Sequence, residues 1–162
     1  MAWYNWPIMK IKIAYAAKHE KLHPEFKKRR DKILRAIRSQ GYEIAEHKGM
    51  RTFAEQAHLY EKGRSRPGNI VTNARPGRSW HNYGLASDLV FLKNGKWSWS
   101  EEHPWELIGK YAKEYGLKWG GDFRKLKDRP HVQFSGTLTT TKARSFYMKG
   151  GLKNVWKHIR FK

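Results

Sequence analysis

The chain has no cysteine among its 162 residues. Disulfides are therefore excluded as a source of stability and thiolates as metal ligands, which fits folding in a reducing compartment. Acids are also scarce: 14 Asp and Glu stand against 34 Lys and Arg, a formal charge of +20. A surplus of that size implies a polyanionic partner, whether nucleic acid, an anionic membrane face or an anionic wall polymer, without choosing among them. No apolar run approaches the ~20 residues of a membrane-spanning helix. The opening stretch Met1-Ala2-Trp3-Tyr4-Asn5-Trp6-Pro7 lacks a basic region followed by a long apolar run, so no signal peptide is expected. Internal repeats and low-complexity segments are absent as well.

What is present describes a globular domain. Hydrophobic residues make up 39% and aromatics 14%, too much apolar content for a disordered chain. A chain of this length fits one domain and buries roughly two-thirds of its unfolded surface.

Periodicity predicts helices and antiparallel strands in mixed order. His23-Pro24-Glu25 opens a helix with the stripe Phe26, Ile33, Leu34 and Ile37, stopped by Gly41. Tyr42 to Glu46 reads as a short strand, and Thr52-Phe53-Ala54-Glu55 as a capping box for a second helix ending at Gly63. Arg64 to Ser79, with two Pro-Gly pairs, is a long loop of the kind that is often functional. Ala86 to Leu92 is a strand, Asn94-Gly95 a hairpin turn into Lys96–Trp99, and Pro104–Tyr115 a third helix. Leu117 to Asp122 contains a Gly-Gly turn, and His131–Phe134 is the last strand. With no βαβ repeat, the expected class is α+β, a single small domain with a short antiparallel sheet flanked by helices. Residues 1–135 are read as the catalytic domain. Residues 136–162 are a basic extension with seven Lys and Arg and no acid. There Leu152, Val155, Trp156 and Ile159 mark an amphipathic helix, packed on the domain or, alternatively, directed at a membrane or wall.

The chemistry concentrates in Ser79-Trp80-His81-Asn82-Tyr83-Gly84-Leu85-Ala86-Ser87-Asp88 and Asp128-Arg129-Pro130-His131. Two histidines and an aspartate can hold one zinc ion and leave a coordination position open, with Asp128 close enough to act as a base on water. Alternation puts Asp88 on a strand face with Ala86 and Val90, and His131 on a face with Gln133. His19, His23, His47, His58, His103 and His158 fit no ligand pattern and are read as surface or packing residues. Asp122 reads equally as a turn residue or a functional one, and Trp97 and Trp99, alternating with serines, as core packing in preference to a sugar-binding shelf.

The pattern Ser79-x-His81-x-x-Gly84-x-Ala86-x-Asp88 with Asp128-x-Pro130-His131 resembles the zinc site of the D-alanyl-D-alanine carboxypeptidase superfamily. More narrowly it resembles the L-alanyl-D-glutamate endopeptidase branch found in phage endolysins. Gly49-Met50-Arg51-Thr52, Glu55-Gln56-Ala57-x-Leu59-Tyr60-x-x-Gly63-Arg64 and Trp119-Gly120-Gly121-Asp122 match that branch in the same order. The resemblance covers about residues 26 to 134. It implies a hedgehog/D-Ala-D-Ala-peptidase-like fold, His81, Asp88 and His131 as zinc ligands, Asp128 as general base and Arg51 as stabiliser of the oxyanion. Gln56, Ser79, Tyr83 and Trp119 become candidates for substrate contact or ligand orientation. Carboxypeptidase relatives carry glutamate at the Asp128 position, so aspartate favours the endopeptidase branch.

The implied substrate is the stem peptide of peptidoglycan, with Arg51, Arg64 and Arg78 available for its carboxylates and the basic tail for anionic outer-membrane or wall polymers. A monomer is expected, made in the host cytoplasm and acting on the wall once the membrane is breached. The competing readings are a D-alanyl-D-alanine carboxypeptidase, a wall-adhering protein without activity, and a basic nucleic-acid-binding protein. No nucleic acid is expected, because a basic surface does not require an ordered ligand set.

Overall fold

The first described helix starts where proline costs nothing. In a computed structural model that describes residues 22–162, Pro24 takes the first turn of α1 (Pro24–Arg38) and His23 Nδ1 accepts from the Glu25 amide. The opening stretch read for a leader, and His19, lie outside the described residues. Phe26, Ile33, Leu34 and Ile37 are buried as the stripe predicts, but Arg30 is buried with them. The strand that follows, β1 (Ile44–Lys48), begins two residues later than expected, because Gly41 (φ 89°) and its successors are consumed in reversing the chain out of α1.

Thr52 and Glu55 form the predicted reciprocal capping box on α2 (Phe53–Glu61). The remaining elements are β2 (Ala86–Lys93), β3 (Lys96–Ser98), α3 (Glu106–Glu114), β4 (Lys118–Trp119), β5 (His131–Gln133) and α4 (Thr140–Lys157). Asn94 and Gly95 both have positive φ, 52° and 72°, the requirement of the tight turn joining β2 to β3. The sheet runs β1-β2-β5-β4 with β3 also on β2, and every pairing is antiparallel. The class is α+β, a single small domain.

Pairing and alternation divide the sheet into two faces. Ser87, Leu89 and Phe91 of β2, Glu46 of β1 and Val132 of β5 share one face, and Arg30 of α1 reaches Glu46 there. The opposite face carries Asp88, Leu92, His131 and Gln133.

The C-terminal segment is more extensive than its apolar period suggests. α4 starts at Thr140, with Thr139 as its cap, and is broken at Gly150–Gly151, where Gly151 adopts φ 65°. Val155 and Ile159 are buried in the core and Trp156 Nε1 donates to the Tyr83 carbonyl at 2.8 Å. The stripe therefore packs on the domain, the first of the two readings. Among the described residues no helix is long and apolar enough to cross a membrane.

Candidate metal centre

Strand register brings two of the predicted ligands side by side. Asp88 of β2 lies opposite His131 of β5, so both project from one face. His81 arrives from a 3-10 helix (Trp80–Tyr83) that ends at Gly84 in the left-handed region, φ 66°, where glycine is the unstrained choice. The three side chains converge. His81 Nε2 lies 3.2 Å from Asp88 Oδ1 and 3.2 Å from His131 Nδ1, and His131 Nδ1 lies 3.1 Å from Asp88 Oδ1. Among the described residues this is the one group of acids and histidines arranged to share an ion.

The fit to a metal can be tested on spacing and on the proton positions. Nitrogen and oxygen ligands about 2.0–2.1 Å from a tetrahedral ion stand about 3.3–3.4 Å apart, close to the observed triangle. His81 Nδ1 lies 2.7 Å from the Gly49 carbonyl oxygen, which only accepts, so the proton sits on Nδ1 and the Nε2 lone pair points into the triangle. His131 Nε2 faces Gln133 Oε1 at 2.9 Å and is held the same way. The donor set fits a zinc-type cation.

Charge tunes these groups. Burial alone would raise the Asp88 carboxyl, but His81 and His131 beside it hold it well below the usual carboxylate range. For His131, burial lowers the pKa and the hydrogen bond and charge of Asp88 overcome it, leaving the imidazole raised. Proton and metal compete for the same atoms, so acid weakens ion binding.

Asp128 is set beside this group by a close backbone approach. Its N–H donates to Gly120 O at 2.9 Å and its carbonyl accepts from His131 N at 3.1 Å. A side chain at Gly120 would collide with the Asp128 carbonyl, so the approach depends on glycine. The Asp128 side chain reaches solvent, yet the atoms around it partly desolvate its carboxyl. That burial and the Asp88 charge raise its pKa, against the pull of His131, His81 and Arg51. Arg51 Nη2 lies 3.6 Å from Asp88 Oδ2, and its Nη1 donates to Gln56 Oε1 at 2.9 Å.

Three of the four residues expected to contact substrate or orient the ligands are built into the scaffold. Gln56 is fully buried, its amide divided between Arg51 and the Ala74 carbonyl (2.7 Å). Tyr83 is fully buried and donates to Gly77 O at 2.7 Å, and burial pushes its phenol up to about 12. Trp119 is buried, and its Nε1 donates to Arg129 O at 2.7 Å, clamping the segment that holds Asp128. Each has its polar atoms committed inside, the arrangement of a residue that orients its neighbours. Ser79 is half-buried before the 3-10 helix, which its side chain does not cap.

Other participants were not singled out by sequence. The Gly49 carbonyl orients His81. Buried Asn82 ties the site together, donating to Arg51 O at 2.9 Å and accepting from Gly77 N at 3.0 Å. Gln133 could have been found from its place two residues beyond His131 on the same strand face, and Asn82 from its place beside His81.

Known proteins share this arrangement of elements. The family profile described as D-alanyl-D-alanine carboxypeptidase matches residues 72–134, which contain His81, Asp88, Asp128 and His131. The peptidoglycan L-alanyl-D-glutamate endopeptidase CwlK of Bacillus subtilis (strain 168) is 40% identical over 121 residues, covering 69% of this chain and 72% of that protein. The chain belongs to the L-alanyl-D-glutamate endopeptidase branch of the D-alanyl-D-alanine carboxypeptidase superfamily. This branch makes it a zinc-class metallopeptidase. A second relative, the L-alanyl-D-glutamate peptidase of Listeria phage A118, is 31% identical over 107 residues, covering 64% of this chain. The chain spans about a third of that phage protein, 34% of its length. The solved LdcB LD-carboxypeptidase, whose structure addresses peptidoglycan recognition, aligns with a TM-score of 0.55 at 25% identity, covering 78% of this chain and 72% of that one.

Proposed function

We propose that this protein hydrolyses the L-alanyl-D-glutamate bond of the peptidoglycan stem peptide with a zinc ion held by His81, Asp88 and His131. The observation that carries the reading is the triangle of Nε2, Oδ1 and Nδ1 atoms 3.1–3.2 Å apart, with the His81 ring fixed from outside by Gly49. When bound, zinc supplies Lewis acidity, polarising a carbonyl and making hydroxide available near neutral pH. Asp128 takes the proton of the attacking water and delivers it to the D-glutamate nitrogen as the carbon–nitrogen bond breaks. Its raised pKa suits that exchange, since proton transfer is most effective when the pKa lies near the working pH. Arg51, braced by Gln56, offers a fixed positive charge to the oxygen of the L-alanine carbonyl as it becomes anionic.

The phage relative supports a role as a phage-type endolysin, made in the host cytoplasm and released onto the wall when the membrane is breached. The surplus charge supports attraction to anionic wall or outer-membrane polymers, with every Lys and Arg from residue 142 onward exposed. The alternative, a D-alanyl-D-alanine carboxypeptidase, is favoured by the description of the matching family. Mass spectrometry of digested muropeptides separates the two. New peptides beginning with D-glutamate are expected; release of free D-alanine alone refutes the endopeptidase reading. Undiminished wall clearing after exhaustive chelation would sink the metal mechanism.

A further inference from the structure

We propose that His47, Trp97 and Trp99 form a platform that binds the sugar ring next to the stem peptide, placing the glycan strand along β2. The inference rests on the L-alanyl-D-glutamate endopeptidase reading above.

The three rings form one cluster at the surface. The His47 ring meets Trp97 edge-on at 5.0 Å between centroids and Trp99 at 5.3 Å. Trp99 is 53% exposed, and His47 and Trp97 are half-buried. Rings with one apolar face and one wet edge suit ligand contact.

Position connects the cluster to the metal centre. Trp97 lies opposite Leu92, and Leu92 shares the face of β2 that carries Asp88. His47 sits where the β1–β2 register slips by a residue between Glu46 and Lys48, a bulge that re-aims side chains. Because β1 and β3 flank β2 on opposite sides, the His47–Trp97 contact crosses over β2 on the metal side. His47 sits level with Asp88 and Leu89, and Trp97 with Leu92 four residues on, so the cluster runs from beside the metal centre to about 13 Å along β2 at 3.3 Å per residue.

The substrate has a matching dimension. The L-alanine of the stem peptide is joined through a lactyl group to N-acetylmuramic acid. Lactyl plus alanine span about 7 Å at 3.3–3.6 Å per unit, so cutting after L-alanine holds the first sugar about 7 Å from the ion, within the span of the cluster. Pyranose rings present faces of C–H groups, and the N-acetyl methyl is apolar, so such rings pack on indoles while their hydroxyls stay in water. A cut between the terminal D-alanines would leave the sugar three residues further away, past the cluster. The platform therefore distinguishes the two bonds.

The test compares W99A and W99Y with the parent enzyme on two substrates, a GlcNAc–MurNAc tetrapeptide and the same tetrapeptide without sugar. W99A is expected to lower kcat/KM on the sugar-bearing substrate about tenfold, mainly through KM, and to leave the bare peptide unchanged; W99Y should retain most of the rate. Thermal unfolding of both variants guards against a folding defect. Equal losses on both substrates, or none on either, overturn the platform. Calorimetric titration with the GlcNAc–MurNAc disaccharide keeps the two readings apart. Binding by the parent and its loss in W99A support the platform even if the L-alanyl-D-glutamate bond stays intact, which would refute only the reaction. No binding by the parent overturns the platform while cleavage of that bond still upholds the reaction.

Discussion

Ser87 and Asp88 are neighbours on β2 that face opposite ways, and the two sides of the sheet handle buried charge differently. Behind, the Ser87 hydroxyl donates to Glu46 Oε2 at 2.7 Å, and the Arg30 guanidinium from α1 closes on the same oxygen. Acid, cation and hydroxyl all come from the chain and meet on that one oxygen, while Arg30 Nε lies 2.9 Å from Asp31 Oδ1. In front, Asp88 meets two imidazoles whose nitrogens crowd its Oδ1, with Gly49 and Gln133 tying down the rings from outside. The rear cluster sets a cation and a hydroxyl against its acid, whereas the front one is a set of acceptor atoms aimed at a common point. Burial of polar groups therefore does not mark a site by itself. What marks it is whether the chain balances its own donors and acceptors.

That contrast can be broken or sharpened experimentally. Asp88→Ala or His131→Ala should abolish both wall cleavage and zinc retention, read by muropeptide digestion and metal analysis; a variant that keeps stoichiometric zinc would refute the assignment of ligands. Asp128→Asn should reduce kcat by about 10²–10⁴-fold with zinc content unchanged, the signature of a proton carrier outside the ligand set. On the rear face, Arg30→Ala leaves Glu46 buried without its cation and should cost about 3–5 kcal/mol in urea denaturation, while zinc binding to the folded protein persists. An unchanged denaturation midpoint would show that the rear cluster is not an ion pair of consequence. Gln133→Ala, which frees the outer nitrogen of His131, should weaken zinc affinity about 10–100-fold in a chelator competition.

The smallest effect concerns pH. Burial tends to raise the Glu55 carboxyl, but the Thr52 amide and hydroxyl and the Lys48 ammonium hold it at about 2. A folded pKa below the unfolded one stabilises above the unfolded value, near 4.5, and that contribution disappears as pH falls towards 2. Glu55→Gln should flatten the acid limb of the stability curve in that window alone. Its carboxylate is half exposed, so solvent screening keeps the change small.

The front face was more legible than the rear one for a physical reason. Histidines and acids are the residue types that bind metals, and alternation along a strand assigns faces, so His81, Asp88, Asp128 and His131 could be read as a group. The Asp88–His131 register could not, because it depends on pairing across forty-odd residues. The Gly49 carbonyl carries no side-chain signature at all. The burial of Arg30 in α1 carries no signal in the helix period, because it depends on the carboxylates of Glu46 and Asp31 that meet it in the fold. Gln56, Tyr83 and Trp119 were picked out as important, but a motif does not say whether a residue touches the substrate or braces what does. The helix periods located α1 and the stripe of α4, while the first half of α4 has only Ala143 fully buried and little amphipathic signal to find.

The docking of the C-terminal segment has a consequence for how the chain is made. Arg29 of α1 donates to Tyr115 O at 3.2 Å and to Lys162 O at 2.7 Å, and lies over the Phe161 ring at 5.0 Å. His23 packs against both Trp156 and Phe161. The first described helix is thus sealed by residues near position 160, contacts that span nearly the whole described sequence and are slow to form compared with local ones. During translation the sheet that carries His81, Asp88 and His131 can assemble before those residues emerge, but α1 keeps one flank open until they do. The finished enzyme appears only when residues 155–162 have left the ribosome and closed over the helix that was synthesised long before them.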